Sequence, residues 1–278
     1  MSIAGFTVVD CHHHVGSIAS MAGLDLPGIP ADADPMDVEL ARRLQAMDDH
    51  GVDQAVVIPG HAYLRPDGIA DTRTVNDEIA AYRDAHPDRF PAAVGIVEPY
   101  HGAAAMAELD RIHGELGLVG ISMHTRFQGV STDSPLVVDL VRRAAERGLV
   151  PFIHALDGVP DEALWRAQVV ARAVPDTTVV VLDPLSGVEH ARQAPLIGAE
   201  TPNMVFDVSL CHHVMFVESM VRAVGAERVV FGSDQYSLMP SPSHVAMLDD
   251  IVASSLPDPD KAAILSGNIR RILDLPAP

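Results

Sequence analysis

Cysteine is nearly absent from this 278-residue chain, with Cys11 and Cys211 its only two. Two thiols cannot build the disulfide framework on which small secreted domains depend. One of them also lies inside a histidine-rich segment, so a reducing cytoplasm is the expected compartment. Long apolar runs are missing too. No stretch approaches the roughly 18 residues that a membrane span needs, and no basic, apolar leader opens the chain, so a soluble protein with no membrane partner is expected. Basic runs are equally scarce. With 19 Lys+Arg against 38 Asp+Glu the formal net charge is -19, which repels phosphate backbones and argues against a nucleic-acid partner. A small anionic substrate stays open, because exposed charges are screened beyond about 8 to 10 Å at ordinary salt.

What is present is a recurring unit: a short β-branched run, polar or Gly/Pro punctuation, then a stretch of helical periodicity. Strands are expected at Thr7 to Asp10, Gln54 to Pro59, Ala92 to Val97, Gly120 to Met123, Val150 to His154, Thr178 to Asp183, Met204 to Ser209 and Val229 to Gly232. Several, such as Val179-Val180-Val181-Leu182, are apolar on both faces, as strands of a covered parallel sheet must be. The length fits one α/β barrel of about 250 residues, so the expected fold is a single-domain (β/α)8 TIM barrel spanning 1–278.

Helices are expected at Pro35 to His50, Thr72 to His86, Gly102 to Leu116, Leu136 to Arg147, Ala163 to Val174, Met215 to Val224, His244 to Ser254 and Asp258 to Leu273. None is assigned between the sixth and seventh strands. The fourth of these has the clearest ends, with Ser134 as cap, Pro135 in the first turn and Gly148 as stop. Ala19 to Asp34, rich in Gly, Pro and Asp, is expected to be an irregular loop.

A barrel of this kind places its active site at the C-terminal ends of its strands. Polar residues gather there: Asp10-Cys11-His12-His13-His14 after the first strand, His124 after the fourth, His154 ending the fifth and Asp234 after the eighth. Residues two apart on a strand share a face, so His12 and His14 converge while His13 turns away. Imidazoles with one carboxylate suit a divalent cation that keeps a position open, and His12, His14, His154 and Asp234 form such a set. Alone, His154 also fits a core histidine satisfied by hydrogen bonds, and Asp234 a turn or helix cap. Cys11 reads as a small packed residue on the face opposite the ligands.

These motifs resemble the amidohydrolase-related branch of the amidohydrolase superfamily, a group of metal-dependent hydrolases and decarboxylases. The likeness rests on Asp10-x-His12-x-His14, Gly120-Ile121-Ser122-Met123-His124, Gly148 to His154, Val230-Phe231-Gly232-Ser233-Asp234, and the closing Ile264 to Leu273. It implies that His12, His14 and His154 are metal ligands, and that Asp234 binds the metal, the catalytic water or both. Members usually carry a histidine at the end of the sixth strand, where this chain has Pro184. Asp183, His212 and His213 are the alternatives for that role. The lack of a lysine near His124 favours a single metal over a bridged pair.

Zinc is the favoured ion, with manganese and iron accepted by the same donors. Arg126 and, more weakly, Arg73 and Arg65 are candidates to meet a substrate carboxylate through a guanidinium fork. The first expected reaction is hydrolysis of an amide, lactone or related small-molecule bond by metal-activated water. In it Asp234 takes the proton, and His124 or the metal polarises the carbonyl. Non-oxidative decarboxylation of an aromatic or unsaturated carboxylate is the second reading, and a metal-binding scaffold without activity the third. A homodimer would fit the apolar content and the habits of the family.

Overall fold

Alternating β-branched runs and amphipathic segments fold as the repeat predicts. The computed structural model describes residues 3–16, 32, 35–61, 65–236 and 242–276. Its eight strands are β1 (Val9–Val15), β2 (Gln54–Pro59), β3 (Ala92–Ile96), β4 (Gly120–Met123), β5 (Val150–His154), β6 (Val179–Leu182), β7 (Met204–Asp207) and β8 (Val229–Val230). They pair in sequence order and in parallel. Cys11 N–H donates to Phe231 O (2.9 Å) and His14 N–H to Gln235 O (3.0 Å), which ties β1 to the segment after β8 and brings the sheet round on itself. The fold is a (β/α)8 barrel.

The helices are α1 (Pro35–His50), α2 (Ile69–Ala85), α3 (Ala103–Gly114), α4 (Pro135–Ala145), α5 (Leu164–Ala173), α6 (Val188–Glu200), α7 (Val214–Val224) and α8 (Pro242–Ala253). The chain closes with α9 (Asp258–Ala262), a π turn (Ala263–Gly267) and α10 (Asn268–Ile272). Ser134 caps α4 by accepting from Leu136 N–H (3.3 Å). Asn268 fixes the closing segment, donating from Nδ2 to Ala226 O and Val229 O, both at 2.8 Å. No helix among the described residues is long and apolar enough to cross a membrane.

Two features differ from the sequence reading and a third expectation is not tested. Helix α6 was not assigned from the sequence; it runs through Pro195, which removes a ladder donor from its interior, and buries His190, Ala191, Ala194 and Ile197. Expectations for Ala19 to Asp34 fall, except for Asp32, outside the described residues. Strand β1 does not stop at Asp10 but continues through all three histidines to Val15, and it carries a bulge.

That bulge decides which way the histidines face. The register runs Val9↔Gln54 and Asp10↔Ala55 and then jumps to His13↔Val57, one extra residue on β1. Strict alternation would send Val9 and Cys11 inward and His12 and His14 outward. The inserted residue reverses the parity from His12 on. Cys11 therefore lies inside the barrel, with Val9, Val56, Ile58, Phe152, Val180 and Leu182 beneath the histidines. It is the small packed residue expected, but not on the far face. Alternate residues such as Ala55, Val57, Val179 and Val181 point outward into the larger core under the helices.

Candidate metal centre

The C-terminal mouth of the barrel brings together the residues that the strand-end rule singles out. His12 Nε2 lies 3.0 Å from His14 Nε2, and His14 Nε2 lies 3.4 Å from His154 Nε2. Asp234 Oδ1 stands 3.3 Å from His12 Nε2 and 3.4 Å from His14 Nε2. All three imidazoles are buried.

The other ring nitrogens fix the tautomers. His14 Nδ1 bonds to Pro59 O (3.1 Å) and His154 Nδ1 to Met123 O (3.0 Å). A carbonyl can only accept, so both Nδ1 atoms carry the proton and both Nε2 atoms turn a lone pair toward the centre. His12 Nδ1 bonds to Asp207 Oδ2 (2.9 Å), a carboxylate that favours the same tautomer. With the three imidazoles neutral, three acceptor lone pairs and a carboxylate face one another with no donor between them, an arrangement that a cation relieves. The spacing agrees, because two ligands at a right angle and about 2.1 Å from one ion lie about 3.0 Å apart. The residues present fit one divalent metal.

Electrostatics point the same way. Burial, reinforced by the neighbouring imidazoles, holds His14 and His154 well below the usual range, so they stay neutral and able to coordinate. Burial also works against a charged His12, yet Asp234, Asp183 and Asp207 pull its imidazole up to about 10, which measures how negative its surroundings are. Burial pushes the Asp234 carboxyl up to about 6 and the Asp183 carboxyl well above its ordinary value.

At the end of β6 the side chain that stands beside the histidines is that of Asp183, which follows the strand directly. Its left-handed backbone (φ 58°) turns the carboxylate into the site, where Oδ1 accepts from Ser209 Oγ (2.8 Å) and stands 3.9 Å from His12 Nδ1. His212 and His213 do not reach this space. Both are exposed, and His213 caps α7.

His13 turns away as expected. Its Nδ1 bonds to Asp10 Oδ2 (2.9 Å), and Asp10 also accepts from His12 N–H (2.9 Å), Ser233 N–H (3.0 Å) and Ser233 Oγ. Asp10 is thus a clamp between β1 and the β8 end. Burial alone would raise its carboxyl, but these donors, His13 first, bring it below the usual value.

A cavity of about 270 Å³ opens beside the triad, lined by His124, Arg126, Phe127, Leu156, Asp183, Leu210, Asp234 and Tyr236. The His124 ring stacks on His154 (4.0 Å, 7°), and Tyr236 stacks on His14 (4.7 Å, 16°). Arg126 lies over Phe127, 4.6 Å from its centroid. Arg73 is not brought here: it sits on α2 with Nε 3.3 Å from Glu108. Arg65 pairs instead with Glu98 (2.8 Å).

Sequence reasoning missed three contributors. His61, just beyond β2, is buried with Nε2 2.9 Å from Ser122 Oγ and its ring 5.4 Å from His154; the strand-end rule applied to β2 would have found it. Asp207, the last residue of β7, was open to the same rule. Glu162 bonds to His124 Nδ1 at 2.6 Å from a helical turn in the loop after β5, and no local pattern marks it.

Packing around the ligands is tight at Gly232. A Cβ there would lie 2.6 Å from Asp207 Oδ2 and 2.8 Å from His12 Cβ. Gly232→Ala must therefore displace His12 or its carboxylate partner. Expected are a loss of about 1–3 kcal/mol of stability from overpacking and a metal affinity lower by about 10- to 100-fold. Thermal melts and metal titration check both, and an unchanged metal affinity would refute the close approach.

The amidohydrolase family profile matches residues 9–275, and the chain belongs to that family. A curated relative, 6-methylsalicylic acid decarboxylase of Penicillium expansum, is 24% identical over 315 residues, covering 93% of this chain and 94% of its own. Among solved structures, 5-carboxyvanillate decarboxylase of Sphingomonas paucimobilis superposes with a TM-score of 0.72 at 16% identity, over 98% of this chain and 100% of its own. A dihydroxybenzoic acid decarboxylase of Polaromonas sp. JS666, with bound manganese and the inhibitor 2-nitroresorcinol, gives 0.68 at 16% identity over 97% of each chain. At these identities the structural likeness speaks to the fold.

Proposed function

We propose that this chain is a metal-dependent, non-oxidative decarboxylase of a one-ring aromatic acid, with a single divalent cation held by His12, His14, His154 and Asp234. The observation that carries the reading is the cavity against the triad, whose walls combine Phe127, Leu156, Leu210 and Tyr236 with the single guanidinium of Arg126. Apolar walls with few polar groups suit a flat ring bearing an anionic substituent. Hydrolysis was the first expectation from sequence, but the named activities of the relatives favour the second. The bound manganese of the Polaromonas enzyme makes manganese the first ion to test beside zinc.

When bound, the cation supplies a Lewis acid that anchors and polarises a substrate oxygen. The protein's own groups do the rest. Asp234, its carboxyl pushed up to about 6 by burial, is the acid that brings a proton into the reaction beside the His12 and His14 nitrogens. It delivers that proton to the ring carbon bearing the carboxylate. The carbon–carbon bond then breaks, carbon dioxide leaves, and the bonding pair returns to the ring π system that supplied the electrons for the new C–H bond, so no oxidant or reductant is needed. Phe127, Leu156 and Leu210 hold the ring and keep water from it, while Arg126 meets an anionic substituent at the mouth.

A panel of 6-methylsalicylate, dihydroxybenzoates and 5-carboxyvanillate, offered to manganese- and zinc-loaded protein with carbon dioxide release as the signal, tests the reading. Release from at least one member with formation of the matching arene is expected. Hydrolysis of lactones, esters or amides with no carbon dioxide from any acid would return the chain to the first reading.

A further inference from the structure

We infer that Glu162 is a positioning residue which, through His124, makes this cavity recognise a ring hydroxyl on its ligand. The inference rests on the reading that the cavity receives an aromatic acid. Glu162 is fully buried, and its Oε1 stands 2.6 Å from His124 Nδ1 and accepts from Arg126 N–H (2.9 Å). The opposite tautomer of His124 would set a nitrogen lone pair against a carboxylate at that distance. Nδ1 therefore keeps the proton and Nε2 is left as an acceptor.

The ring is packed on both sides and its backbone is tied down. One face lies on His154 at 4.0 Å, Phe127 meets it edge-on at 4.4 Å, and the backbone N–H of His124 donates to Gln128 Oε1 (3.1 Å), whose Nε2 donates to Val97 O (3.0 Å). His124 lines the cavity, and no described residue donates to its Nε2. Glu162 Oε2, buried without a hydrogen bond, stands 3.9 Å from Arg126 Nε, so the same carboxylate also keeps that guanidinium over Phe127.

An acceptor fixed on a cavity wall calls for a donor on the ligand. A ring hydroxyl supplies one. A ligand lacking it leaves Nε2 desolvated and unpaired, a penalty that discriminates more strongly than apolar contact does. His124 thereby separates hydroxylated aromatic acids from plain ones, and Glu162 is what makes it an acceptor.

The test compares 2-nitrophenol with nitrobenzene, in which a nitro group stands for the carboxylate and no turnover occurs, by calorimetric binding to manganese-loaded protein. Wild type is expected to prefer 2-nitrophenol by at least about tenfold, the size of one buried hydrogen bond. Glu162→Ala and His124→Phe should each reduce that preference to within about twofold while metal content stays at one equivalent. Glu162→Gln, whose amide oxygen still accepts from Nδ1–H, should keep it. Adding Glu162→Ala to His124→Phe should change that preference no further, since it runs through the imidazole and any shift of Arg126 acts on the nitro group that both probes carry.

No preference in wild type, a preference that survives Glu162→Ala, or a further loss in the double variant each overturns the inference. Should Glu162→Ala not fold, loss in His124→Phe with retention in Glu162→Gln supports it, and any other pattern overturns it. Protein that discriminates the hydroxyl yet releases no carbon dioxide from any acid overturns the decarboxylase reading alone.

Discussion

Replacing His154 with alanine is expected to give a folded chain that holds no metal and has lost turnover by on the order of 1,000-fold or more, since the cation supplies several kcal/mol of charge stabilisation. The side chain ends β5 and faces the site, and its Nδ1 bond to Met123 O holds no element in place, so the barrel should survive. What goes is the third of three lone pairs. His12, His14 and Asp234 remain, three of the four proposed donors, and without the fourth the site no longer holds the ion against chelators. Elemental analysis of untagged protein should fall from one equivalent to near zero. In melts, the wild type should lose a metal-dependent rise in Tm on chelation, because a ligand that binds only the folded state stabilises it by mass action. The variant should show no such rise. Full metal content and activity in His154→Ala would dismantle the site as drawn.

The polar strand ends made most of this centre legible without coordinates. His12, His14, His154 and Asp234 lie where parallel strands deliver their last side chains, so placing the strands placed the candidate ligands. The inward turn of His12 and His14 was legible only as mutual convergence. Which face they shared depended on one extra residue in the β1–β2 register, and no periodicity within β1 betrays a bulge in its pairing with another strand. Pro184 marked the end of the sixth strand as the place where the resemblance breaks. Recognising Asp183 required its left-handed φ of 58°, a property of the fold. Glu162 shows the limit more sharply: it meets His124 across 38 residues, from a loop whose shape exists only after β4 and β5 pair. Helix α6 was missed although it is a local element: it runs through Pro195, and burial of His190, Ala191, Ala194 and Ile197 offsets the ladder donor that proline removes.

Asp234→Asn separates the two jobs given to that carboxylate. An amide oxygen can still face the histidines, and asparagine tolerates the left-handed backbone that this position adopts (φ 54°), which alanine would strain. The backbone bond from Asp234 N–H to His12 O (2.8 Å) does not involve the side chain, so β1 and the β8 end stay joined. Metal should therefore be weakened rather than lost, and thermal stability nearly unchanged. Turnover should fall by about 100- to 10,000-fold, because an amide carries no proton to give the ring carbon.

Asp183→Asn supplies the contrast. Its carboxyl, raised by burial and by Asp234, is the other buried acid facing the cavity, and it bonds to Ser209 Oγ at 2.8 Å. If Asp234 is the proton donor, carbon dioxide release at saturating metal falls much further in Asp234→Asn than in Asp183→Asn. A larger fall in Asp183→Asn would transfer the proton to the strand-six carboxyl, and with it the part left vacant by the missing histidine. Equal and complete loss in both, with metal retained, would mean that the two carboxylates, joined through His12, hold one proton between them and act as a unit.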